Sequence, residues 1–320
     1  MTDQPTGWIN FEDRSDEQNR THERIVGAMP AFGLASEAPA VGTKVLLTDL
    51  WKRQEVIDAL GYSFPGWHQL TGSCVGVGFG NAIQTLNFID AFIRNEPERI
   101  ILAAWPFNYG RSRQLAGMNG QGEGSMGSTI ARSGSIDGVS DWVKELGLPE
   151  VKNTDQLLIG KQNELLWSDG KHASQAMRNE ALPHKVTSAQ LSSAAQVRDA
   201  IINGYPVTRA FSTFVNPGSS QVKNGVRIGS YNGRGGHQES WLGYWNHPQN
   251  GELIYEMNQW GANVYGSDPG GGADGGVWIP MEQVDRQCRG QYAEIYAMSQ
   301  YDGYPAQPKF FDWIQKSFYA

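Results

Sequence analysis

The sequence predicts an α+β fold, and three observations predict it. Apolar runs with helical spacing gather in the first half of the chain and strand-like runs in the second. That order argues against an alternating βαβ sheet. The 320 residues suffice for one large domain or two intimate lobes around a real core. Glycine supplies 39 of them, well above the roughly 7% of an average chain, and it clusters between the runs, where loops belong.

Residues 1–44 read as an arm. Charges crowd Asp3 to Arg24, and small residues with proline follow at Ala28–Pro30 and Ala35–Pro39. From Cys74 the chain reads as a helix, with apolar residues at Val75, Phe79, Ile83, Leu86, Ile89, Phe92 and Ile93. Asn95-Glu96-Pro97 ends it. Gly76, Gly78 and Gly80 lie in its first turns at a cost of about 1 kcal/mol each. Gly76 and Gly80 share a face, which predicts close approach of another backbone. A nucleotide-binding glycine loop is the rival reading, but no strand precedes the run and G-x-G-x-x-G spacing is absent.

Ala103–Leu115 and Thr129–Leu146 read as further helices, separated by the glycine-rich Gly117–Gly127. Val197–Asn203 reads as a short helix that Gly204-Tyr205-Pro206 turns into a strand, Val207–Phe214. His237–Trp245, Leu253–Gln259, Val277–Pro280 and Gln291–Ser299 are strand-like, and Gly266–Gly276 is a long loop. At the C-terminus Phe310, Ile314 and Phe318 recur at steps of four beside Phe311 and Trp313, an aromatic amphipathic helix.

Composition excludes several classes. Eleven tryptophans and a net charge of only −7 argue against disorder. Two cysteines, Cys74 and Cys288, do not make a disulfide scaffold. No run of 18 apolar residues exists, so no membrane span is expected. The acidic balance disfavours a nucleic-acid partner. Met1–Arg24 lacks the apolar segment of a signal peptide, so the expectation is synthesis in the cytoplasm, with a virion as a further possible location.

The chemistry starts at Gly72-Ser73-Cys74-Val75-Gly76. A helix N-terminus favours a negative charge, and the thiolate is the nucleophilic form of cysteine. The alternative is a buried core thiol. Gly235-Gly236-His237 and Met257-Asn258-Gln259-Trp260-Gly261 follow. Cys, His and Asn in that order supply a nucleophile, a base and an orienter that fixes the imidazole tautomer.

Five blocks in order resemble a papain-like cysteine peptidase of the bacterial and phage type. Gly72–Gly76 resembles its nucleophile block and Tyr109–Gly117 the helix that follows. Val197–Val207 resembles a helix and G-x-P-V strand, and Gly235–His237 with Gly243-Tyr244 the histidine block. Asn258–Gly261 with Gly276–Pro280 resembles the asparagine block and its closing strand. The resemblance covers about residues 45–298. It implies a helical lobe over 45–180 carrying Cys74, and an antiparallel β lobe over 181–300 carrying His237 and Asn258. Substrate would lie in the cleft between, lined by Gly122, Gly124 and Trp260, with Trp260 shielding the His–Asn bond. Residues 301–320 form a separate terminal segment.

This chain departs from the family's pattern in places. The family's oxyanion glutamine stands six residues before the cysteine; here that position is His68, and Gln69 follows it. Either would act beside the Cys74 N–H. Gln238 and Glu239 replace small apolar residues after His237. Glu239 shares a strand face with His237, roughly 7 Å along, and a carboxylate there needs a partner or perturbs the histidine. Gln259 stands where serine is usual.

The resemblance implies hydrolysis of amide bonds in a peptide or protein through an acyl-enzyme, without cofactor or metal. Two alternatives remain open: a structural role for the same fold in an assembly such as a phage virion, and action on a non-protein amide such as peptidoglycan. The arm is shorter than the family's inhibitory N-terminal segments. Residues 1–44 and 308–320 are therefore read as contacts to neighbouring subunits. Asp268 and Asp274 lack the dense carboxylate spacing of a calcium loop. His22, His172, His184 and His247 read as surface residues, and Cys288 as a bystander.

Overall fold

Ser15 starts the first helix with a capping box: its hydroxyl accepts from Gln18 N–H, and the Gln18 side chain accepts from Ser15 N–H. The computed structural model describes residues 5–299, apart from residues 34–35, 95–99, 119, 121, 143–146, 154–156 and 171. The aromatic segment 308–320 lies outside the described residues. The capped helix, α1 (Asp16–Gly27), stands inside the segment read as an arm. A short strand, β1 (Lys44–Leu46), and α2 (Gln54–Leu60) follow.

The long helix α3 (Cys74–Phe92) is buried on every side from Cys74 to Asp90. Phe79 and Ile83 are buried on it, and such side chains contribute about 1.5–3 kcal/mol each. Its glycines are what let two neighbours approach. A Cβ on Gly80 would sit 2.7 Å from Trp105 Cβ, and one on Gly76 2.8 Å from Trp105 Cε3. These belong to α4 (Trp105–Leu115), so side chains, not the expected backbone, fill that face. The backbone contact falls at Gly78, where a Cβ would lie 3.1 Å from Gln238 O.

Helix α5 (Gly127–Ile136) is shorter than the sequence predicts. It stops before Gly138, whose φ is +83° and whose added Cβ would overlap the Ala181 carbonyl. The chain continues through β2 (Lys152–Asn153), β3 (Leu157–Leu158), α6 (Lys161–Ser168), α7 (Gln175–Ala181) and β4 (Thr187–Gln190). Then come α8 (Ala194–Ile202), β5 (Val207–Val215), β6 (Gln221–Lys223), β7 (Val226–Ile228) and β8 (Tyr231–His247). Last are β9 (Gly251–Met257), β10 (Gly276–Pro280), α9 (Met281–Cys288) and β11 (Glu294–Ser299).

One nine-stranded sheet carries the second half, in the order β4-β11-β5-β8-β9-β10-β7-β6, with β1 also pairing on β8. Its pairs are antiparallel except β10 with β7. The predicted α+β order therefore holds, and register explains what it brings together. Phe211 lies opposite His237, and Arg209 opposite Glu239. Ser240 lies opposite Met257, so the next residue, Asn258, comes level with the His237 end of β8.

Helix α3 lies across this sheet. Ser240 Oγ donates to Gly78 O at 2.6 Å, and Gln238 Nε2 donates to Val75 O at 3.2 Å. Cys74, Phe79, Ile83, Ile130 and Tyr296 share one apolar cluster at this junction. No helix among the described residues is long and apolar enough to cross a membrane.

Candidate active site

Cys74 is the first residue of α3 and is fully buried. The loop before it is pinned from outside by Glu164 on α6. That carboxylate accepts from Leu70 N at 2.9 Å, Thr71 N at 3.0 Å, Thr71 Oγ1 at 2.8 Å and Ser73 Oγ at 2.7 Å. Burial pushes its carboxyl up, while these donors hold it down. Sequence reasoning missed Glu164, because nothing local ties it to residues 70–73.

His237 on β8 is also fully buried. Its Nε2 lies 3.3 Å from Asn258 Oδ1, and its Nδ1 has no hydrogen-bond partner among the described residues. Trp260 stacks on the imidazole, with ring centroids 4.3 Å apart and an interplanar angle of 16°. Phe214 closes the edge of both rings, at 6.1 Å from His237 and 5.0 Å from Trp260. Of the predicted residues, Asn258 meets His237 with Trp260 over the ring, and Cys74 lies at the backbone N–H of Gln238, the residue after His237. Glu239 has the partner its position demands, Arg209 Nη1 at 2.6 Å.

Burial disfavours charge on both side chains. Burial pushes the Cys74 thiol up to about 12, although the backbone N–H groups of Gln238, Gly7 and Trp8 act against it. Burial pushes His237 down to about 3, with the Asn258 bond opposing. This environment works against the expected low-pKa thiolate, because burial outweighs the N–H donors around Cys74.

The segment Pro5–Ile9 lies across the site. Gly7 N and Trp8 N both donate to Gly236 O at 3.1 Å. Ser125 N donates to Gly7 O at 2.8 Å, and Ile9 N donates to Ser125 O at 3.0 Å. Pro5 O accepts from Gln69 Nε2 at 2.9 Å and from Trp260 Nε1 at 2.7 Å. The fit relies on glycines. A Cβ on Gly7 would overlap Gly72 O, one on Gly236 would overlap Trp8 O, and one on Gly124 would lie 2.6 Å from Gly7 O.

Trp8 drops its indole into the apolar cluster that holds Cys74 and Ile130. At the base of that pocket its Nε1 donates to Glu294 Oε1 at 2.8 Å. Glu294 also pairs with the Arg14 guanidinium, accepts from Ser128 N and lies 3.5 Å from His22 Nδ1. Burial would raise the Glu294 carboxyl, but Arg14 and His22 hold it well below the usual carboxylate range. Arg14 in turn donates to Ile9 O from Nε at 3.0 Å and from Nη2 at 2.9 Å. The arm contacts expected to go to other chains are made, over these residues, to the chain's own cleft. His22, expected on the surface, is half-buried against Ser128 Oγ at 3.0 Å. His247 is also buried, its Nδ1 accepting from Gln249 N at 3.1 Å.

The remaining predicted site residues divide. Gln69 aims its amide at the arm carbonyl beside Cys74, whereas His68 Nδ1 accepts from Gly261 N at 3.1 Å. Gly124 is buried against the arm. Gly122 is exposed, and nothing stands near its missing side chain. Cys288 is a buried thiol on α9, which burial pushes up to about 12.

No protein-family model matches the sequence, and no curated protein matches it. Solved structures do. The fold is similar to that of xylellain, a cysteine protease from Xylella fastidiosa. Identity is 18% and the TM-score 0.59, over 93% of this chain and 97% of that one. It is also similar to procathepsin B S9 from Trypanosoma congolense, at 10% identity and a TM-score of 0.51, over 92% of this chain and 85% of the other. Digestive procathepsin L 3 from the larval midgut of Tenebrio molitor matches at 13% identity and a TM-score of 0.51, over 92% and 82%. The chain has the α+β fold of papain-like cysteine proteases.

Proposed function

We propose that this chain is a cysteine peptidase whose Cys74, His237 and Asn258 act as nucleophile, base and orienter, covered here by its own residues 5–9. One observation carries the reading. His237 has one nitrogen on Asn258 and the other without a partner among the described residues, while a stretch of peptide backbone lies paired in the cleft beside Cys74. On this reading the helical lobe, 45–180, supplies the cysteine, and the β lobe, 181–300, supplies the histidine and asparagine. Within the arm, 1–44, residues 5–9 form the cover.

With the arm displaced, the Cys74 Sγ–H passes its proton to His237 Nδ1, because Nε2–H is engaged by Asn258 Oδ1. Sulfur attacks the amide carbonyl of a peptide or protein substrate, and the oxyanion forms beside the Cys74 N–H. Gln69 supplies the second donor, since its Nε2 already holds a carbonyl in the cleft. The C–N bond breaks as Nδ1 returns the proton to the leaving amine, which leaves a thioester on Cys74. Water, giving its proton to Nδ1, attacks the thioester and releases the acid and the free thiol. The pocket vacated by Trp8 ends on the Glu294 carboxylate, so it suits a long side chain that ends in a donor or a cation.

The test uses Gly7→Ala, which adds a Cβ onto Gly72 O and alters no proposed catalytic group. Full-length G7A should hydrolyse an unfolded protein substrate, and the unaltered chain and the G7A/C74A double variant should not. Equal hydrolysis by G7A and G7A/C74A, or none by either with the arm shown to be displaced, would overturn the reading.

A further inference from the structure

We propose that Glu239 is a positioning residue: through Asn258 it strengthens the hydrogen bond that His237 Nε2–H makes. The geometry is a relay. Glu239 Oε1 accepts from Asn258 Nδ2 at 2.9 Å, and Asn258 Oδ1 faces His237 Nε2 at 3.3 Å. Tyr265 Oη accepts the second Nδ2 proton at 2.7 Å. Backbone N–H groups of Gln259, at 2.6 Å, and Trp260, at 3.3 Å, fix Oδ1 from the other side. The amide therefore cannot turn over without losing bonds at both ends.

Glu239 adds what these neutral partners lack. A carboxylate on the Nδ2 side draws the amide protons towards itself and leaves Oδ1 richer in charge, as linked hydrogen bonds polarise one another at low dielectric. Its Oε1 also lies 3.7 Å from His237 Nε2 itself. Both effects favour a proton on the imidazole, against burial and the Arg209 guanidinium, which disfavour one. The catalytic consequence rests on the peptidase reading; the hydrogen-bond relay does not.

Donors face both Glu239 oxygens. Arg209 Nη1 occupies its other oxygen at 2.6 Å, and the Arg209 guanidinium lies 4.3 Å over the Tyr231 ring. Glu256, the second carboxylate here, takes Trp241 Nε1 at 2.9 Å and the Tyr231 hydroxyl. Burial, the Glu256 charge and a hydrogen bond with Glu256 push the Glu239 carboxyl well above its ordinary range, and Arg209 works against them. Across the cleft, Cys74 feels the same carboxylate as a charge that disfavours its thiolate. The relay therefore serves the imidazolium, not the thiol.

Glu239→Gln tests this in the full-length chain, arm in place. One glutamine oxygen cannot serve both Asn258 and Arg209, so E239Q loses one bond and the charge. The E239Q/R209M double variant keeps an oxygen for Asn258 and leaves no buried unpaired guanidinium, but it removes the carboxylate and the guanidinium charge together, with the Arg209 bonds to Thr213 and Gln287. With ¹⁵N-labelled histidine, the His237 Nε2–H proton resonance should move upfield and exchange faster with solvent in both. In the G7A background the alkaline limb of Cys74 alkylation by iodoacetamide should move to lower pH by roughly half a unit or more. If that background gives no alkylation, the peptidase reading fails while the resonance still decides the relay. A resonance unchanged in E239Q would make Glu239 purely structural.

Discussion

Trp8 donates its indole N–H to the Glu294 carboxylate at 2.8 Å, tying the N-terminus to the last strand across 286 sequence positions. Arg14 closes the same knot, pairing with Glu294 while its guanidinium lies 5.3 Å from the Trp8 ring centre. A buried carboxylate thereby depends on the segment that, on the proposed function, is displaced before Cys74 acts.

Arg14→Ala should be costly for that reason. Removing one partner of a buried pair typically costs about 3–5 kcal/mol. The folded Glu294 carboxyl lies below its ordinary value of 4.5, so its contribution is complete above that pH and declines as pH falls towards the folded value. R14A should lower the melting temperature at pH 7 and weaken this acid dependence, which thermal denaturation at several pH values checks. An unchanged melting temperature would mean that the arm does not depend on this pair.

The histidines give a second acid dependence. Burial depresses His237 from 6.5 to about 3 and His68 from 6.5 to about 4. The unfolded chain therefore binds protons first as pH falls below 6.5, and stability drops until the folded groups also titrate, at about 4 and 3. One such proton is worth about 1.4 kcal/mol per pH unit. Urea midpoints between pH 7 and 4 should fall, and His237→Asn should flatten the fall. A wild-type midpoint that does not change over this range would contradict the burial of these imidazoles.

Gln69 and His68 should separate cleanly in the G7A background. Q69A should lower kcat by about 10²-fold, the usual effect of losing one oxyanion donor, with little change in KM. H68N should change kcat little, because His68 is bonded to Gly261 N. The reverse ranking in steady-state kinetics would assign the oxyanion donor to His68.

Glu164→Ala should free the loop before Cys74. It strips acceptors from Leu70, Thr71 and Ser73 at once, and bonds to a charged group contribute about 1.5–3 kcal/mol each. A loss of about 3 kcal/mol, with faster amide hydrogen exchange at residues 70–73, is expected. Full retention of protection there would show that other contacts hold the loop.

What the sequence made legible was local or periodic. Apolar spacing marks α3 from Cys74, and the strand-like runs around His237 and before Asn258 become β8 and β9. The helix expected to Leu146 ends at Ile136, because Gly138 meets the Ala181 carbonyl only after the chain has folded back. The arm was hidden for a related reason. Gly7 and Trp8 stand in a polar run, and their partners Gly72, Ser125, Gly236 and Glu294 come from distant segments. Glu164 is invisible in the same way: its four donors belong to a loop separated from it by three helices.

The most direct measurement is the rate at which iodoacetamide alkylates Cys74, with Cys288 as the internal reference. In the full-length chain both thiols are buried and pushed up to about 12, so both should react slowly at pH 5.5 to 7.5. In G7A, with water admitted and His237 able to take the proton, Cys74 should react much faster than Cys288 and well below the free-thiol pKa of ~8.5. Rapid labelling of Cys74 in the unaltered chain, or equal slow labelling of both thiols in a G7A chain whose arm is cut by added protease, would contradict a covered cysteine-peptidase centre.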